Sequence, residues 1–272
     1  MVFPGQTAGR LMASAGGSSA DGSGPLILSR NELLALLRRV FEALYGKTCD
    51  YEAMAEQILW LECHGLGGLD LLHDCLARLD GEERHADRHL LGAFLTKGPT
   101  IRFDAGGASL IGFGDLLADV LIARCAGGEI RQAEIADLRD ARAILPQLHR
   151  MALAGRFAAV RISGRGNGAD RFARVSASSP LPDLSGWEGA VDCAEQASLH
   201  LVCAGSEEGL RSAMRDLHPD WPEPAVTADQ LAGTYRGSLN NGVKVRDLAA
   251  LHAIADRVLV EATEESRRGA GE

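Results

Sequence analysis

The hydrophobic period changes at Gly98, and that change limits what this chain can fold into. Between Ser29 and Leu79 apolar residues recur every three or four positions. Beyond Gly98 short β-branched and apolar runs, separated by glycines, take over, and helical spacing returns near residue 206. A helical period cannot lie flat in a sheet, and an alternating one cannot line one face of a helix. The pattern therefore predicts an α+β chain: a helical N-terminal part, a small mixed or antiparallel sheet in the middle, and a helical C-terminal part. Residues 26–264 read as one globular unit with subregions 29–95, 98–205 and 206–264. A tail (1–25) and a terminal loop (265–272) flank it.

Local signals place the elements. Ser29 and Glu32 form a capping box ahead of Leu33, Leu37, Val40 and Leu44, and Gly46 supplies a stop. Asp50 caps a second helix through Met54, Ile58 and Leu61 that ends at Gly65. A third, LDLLHDCLARL, follows the GLGG turn. TIRFDAGGASLIGFG reads as two short strands around Gly106-Gly107, with DAGG as the turn, and DLLADVLIARCA as a helix. A helix over 144–154 precedes strands in RFAAVRIS, RFARVSAS and ASLHLVCAG. SEEGLRSAMRDL, TADQLAGTYRGSL (with a Thr227–Gln230 capping box) and RDLAALHAIADRVLVEA close the chain as helices, with HPDWPEPAVT as a late linker.

Composition narrows the classes of partner. A net charge of −9 opposes nucleic acid, whose phosphates call for an excess of Lys and Arg. No apolar window of membrane-spanning length occurs. The six cysteines have no Cys-x-x-Cys spacing, and the first 25 residues, rich in Gly, Ser and Ala, lack the apolar run of a signal peptide. These features predict a cytoplasmic protein with reduced thiols and a disordered tail.

Few residues carry chemistry. His64 ends a helix beside Cys63, and His73, Cys75, His85 and His89 follow, yet their spacing matches no zinc site, so no metal is expected. A helix-end histidine bonded to a backbone carbonyl is the simpler reading of His64, against a catalytic base. Between 150 and 174 stand six arginines and one aspartate, around Gly164, Gly166 and Gly168. The glycine spacing suits a hairpin better than a dinucleotide turn, although Arg165 could serve an anionic ligand. Nucleophile elbow, P-loop and His-Glu-x-x-His patterns are absent.

Two passages resemble a bacterial family known as a domain of unknown function. They are the opening, with Leu28 to Glu32 and Trp60 to Leu72 (WLECHGLGGLDLL), and the closing ESRRGAG, where Glu261 replaces the family's proline. The family pattern makes the ending more than a frayed helix. Ser266, Arg267 and the amides of Gly269 to Gly271 are then expected to bind a carboxylate or phosphate, for which arginine offers a bidentate fork.

The first helices and Cys63-His64-Gly65 are also similar to the start of the malate/L-lactate dehydrogenase family, which uses a non-Rossmann nicotinamide fold. That resemblance implies a catalytic role for His64, NAD or NADP as cofactor, and a blurred second motif at Asp104 to Gly112. Cys63 replaces the family's serine, alignment on the glycine spacing puts Leu69 where the histidine should stand, and the later cofactor-binding sequences are missing. With no complete catalytic constellation, the expected function is a non-enzymatic accessory protein binding a small anion, a protein partner or a second copy of itself. The alternative is a divergent oxidoreductase with His64 as acid/base.

Overall fold

The computed structural model describes residues 26–45, 50–81, 92–94, 98–126, 128–164, 169–176, 179–187 and 196–258. The capping signals form as read. Ser29 N donates to Glu32 Oε2 at 2.8 Å and Glu32 N to Ser29 Oγ at 3.3 Å, starting α1 (Arg30–Tyr45). Asp50 accepts from Ala53 N at 3.0 Å at the start of α2 (Tyr51–Cys63), and α3 (Gly68–Gly81) follows. α1 buries Leu33, Leu37 and Val40 completely, so truncating Leu37 to Ala would cost about 2–5 kcal/mol.

The stretch SLIGFG is not a strand. Ser109 accepts from Ile111 N and starts α4 (Leu110–Arg124), one segment after β2 (Thr100–Asp104). An apolar run this short does not separate strand from helix by period alone. β3 (Arg131–Leu138) pairs parallel with β2, so β2, α4 and β3 make a crossover unit. A 3-10 turn (Ala141–Ala143) leads to α5 (Ile144–Leu153).

β4 (Phe157–Gly164), β5 (Arg171–Ser176), β6 (Ser179–Ser185) and β7 (Ala197–Ala204) complete a six-stranded sheet in the order β2-β3-β7-β4-β5-β6. Only β2 and β3 run parallel. The chain is thus α+β with a mixed sheet. β4 and β5 form the hairpin expected of the Gly-rich stretch, registered Ile162 to Arg171. One sheet face lies in the main core with α2, α4 and α5. Part of the other carries α6 (Glu207–Leu217) through Ala159, Val202, Leu210 and Met214.

α7 (Ala228–Asn241) begins with the expected Thr227–Gln230 capping box. β8 (Val243–Val245) pairs antiparallel with β1 (Leu26–Leu28), and α8 (Leu248–Ala255) packs on α1. Among the described residues no helix is long and apolar enough to cross a membrane.

Candidate functional site

His64 owes its position to the way α2 stops. Gly65 N donates to Glu62 O at 3.0 Å and Leu66 N to Leu61 O at 2.9 Å, the paired bonds of a Schellman motif. The motif needs a left-handed residue after the cap, and Gly65 supplies it at φ +72°. His64 is the cap, held between the last helical turn and the glycine.

Two arginines fix the following loop. Arg142 donates to Leu66 O at 2.6 Å and Gly67 O at 3.2 Å. Just before Arg142 stands Asp140, left-handed at φ 56°, with a side chain fully buried against Arg78 of α3 at 3.0–3.1 Å. Glu62 Oε2 accepts from Leu69 N at 2.9 Å and caps α3, while burial pushes its carboxyl above the ordinary range. The loop after His64 is therefore tied on both sides by charge-assisted bonds, each stronger than a neutral one.

The imidazole is equally constrained. His64 Nδ1 lies 2.7 Å from Trp60 O, and a carbonyl can only accept, so Nδ1 carries the hydrogen. The ring is sandwiched, 4.1 Å from the Trp60 ring and 4.9 Å from the Tyr235 ring. Burial pushes its pKa down to about 4, outweighing the favourable bond to Trp60 O, and the nearby His149 adds to the depression. At neutral pH His64 is an uncharged imidazole with a lone pair on Nε2. The carbonyl bond foreseen from the sequence is present, and it leaves the second nitrogen available.

That ring borders a cavity of about 510 Å³, at the meeting of α1, α2, α5, β6 and α7. Its walls include Leu59, Trp60, Leu181 and Tyr235, and it contains a second histidine, His149, whose Nδ1 lies 2.9 Å from Pro180 O. Trp60 Nε1 is buried without a hydrogen-bond acceptor. Arg30 and Arg236 reach the same cavity, and neither has a carboxylate partner among the described residues. Cys63 also lines it, as a neutral thiol raised by burial. His149, Tyr235, Arg30 and Arg236 escaped the sequence reading because no local pattern marks them. They converge only through tertiary packing.

The other expected sites fare differently. Ser266, Arg267, Gly269, Gly271 and Arg165 lie outside the described residues, as do His85 and His89. His73 bonds Leu69 O through Nδ1, and among the described residues no group of three or more metal-ligating side chains occurs. The arginine-rich stretch is offset in space: Arg150 pairs with Asp115 and Asp119, and Arg161 with Asp170. The backbone amides of the Gly106-Gly107 turn are already used, since Gly106 N donates to Asp104 and Gly107 N to Asp137 O of β3.

A family model described as "Protein of unknown function (DUF3726)" matches residues 28–89, the stretch carrying the opening helices and His64. No curated protein matches the chain. Solved structures do. Malate dehydrogenase from Pyrococcus horikoshii OT3 aligns at 12% identity and TM-score 0.58, over 87% of this chain and 97% of its own. A putative malate/lactate dehydrogenase from E. coli aligns at 9% and 0.56, over 90% and 98%. Delta1-piperideine-2-carboxylate reductase from Pseudomonas syringae pvar. tomato aligns at 15% and 0.51, over 85% and 99%. The fold is therefore the one these dehydrogenases and reductases share. This overturns the expectation of a non-enzymatic accessory protein. That expectation rested on finding no complete constellation in the sequence, whereas the residues around His64 assemble only in three dimensions.

Proposed function

We propose that the chain is a divergent nicotinamide-dependent oxidoreductase acting on a small 2-hydroxy or 2-oxo acid, with His64 as its acid/base. The observation that carries this reading is the state of His64: neutral, fixed in one tautomer by Trp60 O, and bordering a cavity within a dehydrogenase-like fold.

The residues present suit the nicotinamide end of NAD or NADP. The cavity has aromatic walls, Trp60 and Tyr235, beside the neutral His64. A nicotinamide ring would lie against the aromatic lining beside His64, whose own imidazole fills the space between Trp60 and Tyr235. When bound, the oxidised nicotinamide supplies the acceptor for the substrate's hydride.

In the oxidation direction His64 Nε2 takes the hydroxyl proton as the alcohol becomes a carbonyl. The Trp60 carbonyl keeps its hold on Nδ1–H, so the imidazolium forms without turning the ring. The faces of Trp60 and Tyr235 favour the new positive charge by cation–π attraction. With a resting pKa of about 4, His64 is prepared as a base, and reduction requires it to be protonated first. Oxidation should hold its rate from neutral pH downward and fail only as pH approaches 4. Reduction should fall about tenfold per pH unit above that point, where the cationic fraction shrinks.

On this reading the protein is cytoplasmic, its ligand is a small carboxylate, and its thiols stay reduced. Among the described residues Cys63, Cys75, Cys125 and Cys203 are buried thiols outside any disulfide. The test is to incubate the protein with NAD or NADP and a panel of 2-hydroxy acids, following reduced nicotinamide by absorbance. Turnover lost in His64→Gln is expected. Silence across the panel, with no thermal shift from either cofactor, would contradict the proposal.

A further inference from the structure

Several features of the cavity have no part in proton transfer. At about 510 Å³ it falls in the range that encloses drug-sized ligands, roughly 300–1,000 Å³. A three-carbon acid beside a nicotinamide ring would leave much of that space empty. Part of the lining is apolar, made by Leu59, Pro180, Leu181 and Tyr235, whose ring also stacks on His64. Among the described residues lining the cavity, the one carboxylate is Glu56, which sits 3.5 Å from Arg38.

The cations are placed differently. Arg30 is the first residue of α1, and Arg236 holds its Nε on Ala232 O at 3.2 Å while its terminal nitrogens remain free to donate. Both side chains stand at the exposed rim, and among the described residues neither meets an acid. The site thus offers positive charge at the mouth and flat hydrocarbon inside. A second carboxylate placed against Leu59, Pro180 and Leu181 would face hydrocarbon, at a desolvation cost.

We infer that this cavity selects a monocarboxylic 2-hydroxy acid carrying a flat apolar substituent, with its carboxylate at Arg30 and Arg236 and its substituent against Leu181 and Tyr235. The inference rests on the oxidoreductase reading for the reacting hydroxyl, and it concerns what the rest of the substrate must be. An aryl group buried there adds apolar contact without a new charge, and Tyr235 gives it a ring to stack on.

The test is calorimetric binding of 2-hydroxy-3-phenylpropanoate, lactate and malate to the whole protein, with and without reduced nicotinamide cofactor. The aryl acid should bind about 10–100-fold tighter than lactate, the effect of burying one phenyl group. Malate should gain nothing over lactate. Leu181→Asn and Tyr235→Leu should each cut the aryl preference roughly threefold or more. Arg236→Gln should weaken both monocarboxylates alike, by roughly tenfold. Equal affinities, a preference for malate, no binding by any of the three acids, or displacement of the aryl acid by the cofactor would each overturn the inference. The two proposals fail separately. Lactate oxidation with no aryl preference removes the specificity and keeps the enzyme, whereas tight aryl binding with no hydride transfer to either cofactor does the reverse.

Discussion

Two cavities of similar size among the described residues differ in how much of their polar chemistry is already used. On the outer sheet face, beside the region covered by α6, a groove of about 560 Å³ crosses β2, β3, β7 and β4. There Arg102, Glu134, His200 and Arg161 stand in register across four strands. Arg102 meets Glu134 at 2.6 Å, His200 meets Gln132 at 3.2 Å, and Arg161 meets Asp170 at 2.7 Å. The Arg102 bond holds the Glu134 carboxyl below its usual range. Around His64 the reverse holds: a tautomer fixed on one side and open on the other, a tryptophan N–H without an acceptor, and two arginines without acids. Volume does not separate the two. Unspent hydrogen-bonding capacity does, because an unmet buried donor carries a cost that a ligand can remove.

The largest test of this contrast is His64→Gln, which keeps a polar side chain and removes the base. It should lower hydroxy-acid oxidation by roughly 10²–10⁴-fold, the usual span for a lost acid/base group. Steady-state kinetics against the wild type measure it.

Next in size is Asp140→Asn. Asparagine tolerates the left-handed backbone, so the change removes only the buried negative charge from the pair with Arg78. Urea unfolding should show a loss of about 3–5 kcal/mol. Because Arg142 ties this turn to the loop after His64, activity should fall with stability.

A smaller effect concerns pH. The folded pKa of His64 lies near 4 against an ordinary 6.5, so the unfolded chain binds a proton here more readily than the native one. Its contribution to stability is complete above pH 6.5 and is lost as pH falls toward 4, with a slope of up to about 1.4 kcal/mol per pH unit. Unfolding midpoints measured through that window should flatten in His64→Gln. The smallest effect belongs to the groove: Arg102→Ala breaks an exposed pair and should leave the thermal midpoint and turnover unchanged.

What the sequence made legible was local. Ser29 with Glu32, Asp50, and Thr227 with Gln230 announce helix starts because each cap lies within three residues of its partner. β3 carries no clear strand signal, since RQAEIADL buries only Ala133, Ile135 and Leu138, and Glu134 and Ala136 face the polar groove. β6 hid behind Pro180 and Pro182. Proline is tolerated on an edge strand, and β6 is the last strand of the sheet. At the site, His64 and its glycine stop were readable from Cys63-His64-Gly65. The Arg78–Asp140 pair, the Arg142 tie and the ring of Tyr235 join residues 62 to 171 positions apart, and no period or spacing reports such contacts.

One spectrum holds both regions. A nitrogen-detected NMR titration of the histidines, with oxidised cofactor present and 2-hydroxy-3-phenylpropanoate or lactate added, observes His64 in the cavity and His200 in the groove together. The account predicts that His64 stays neutral with its hydrogen on Nδ1 down to about pH 4, and that the acid shifts its Nε2 while His200 remains still. A His64 that is already charged at neutral pH, or an acid that moves His200 and leaves His64 unaffected, would contradict it.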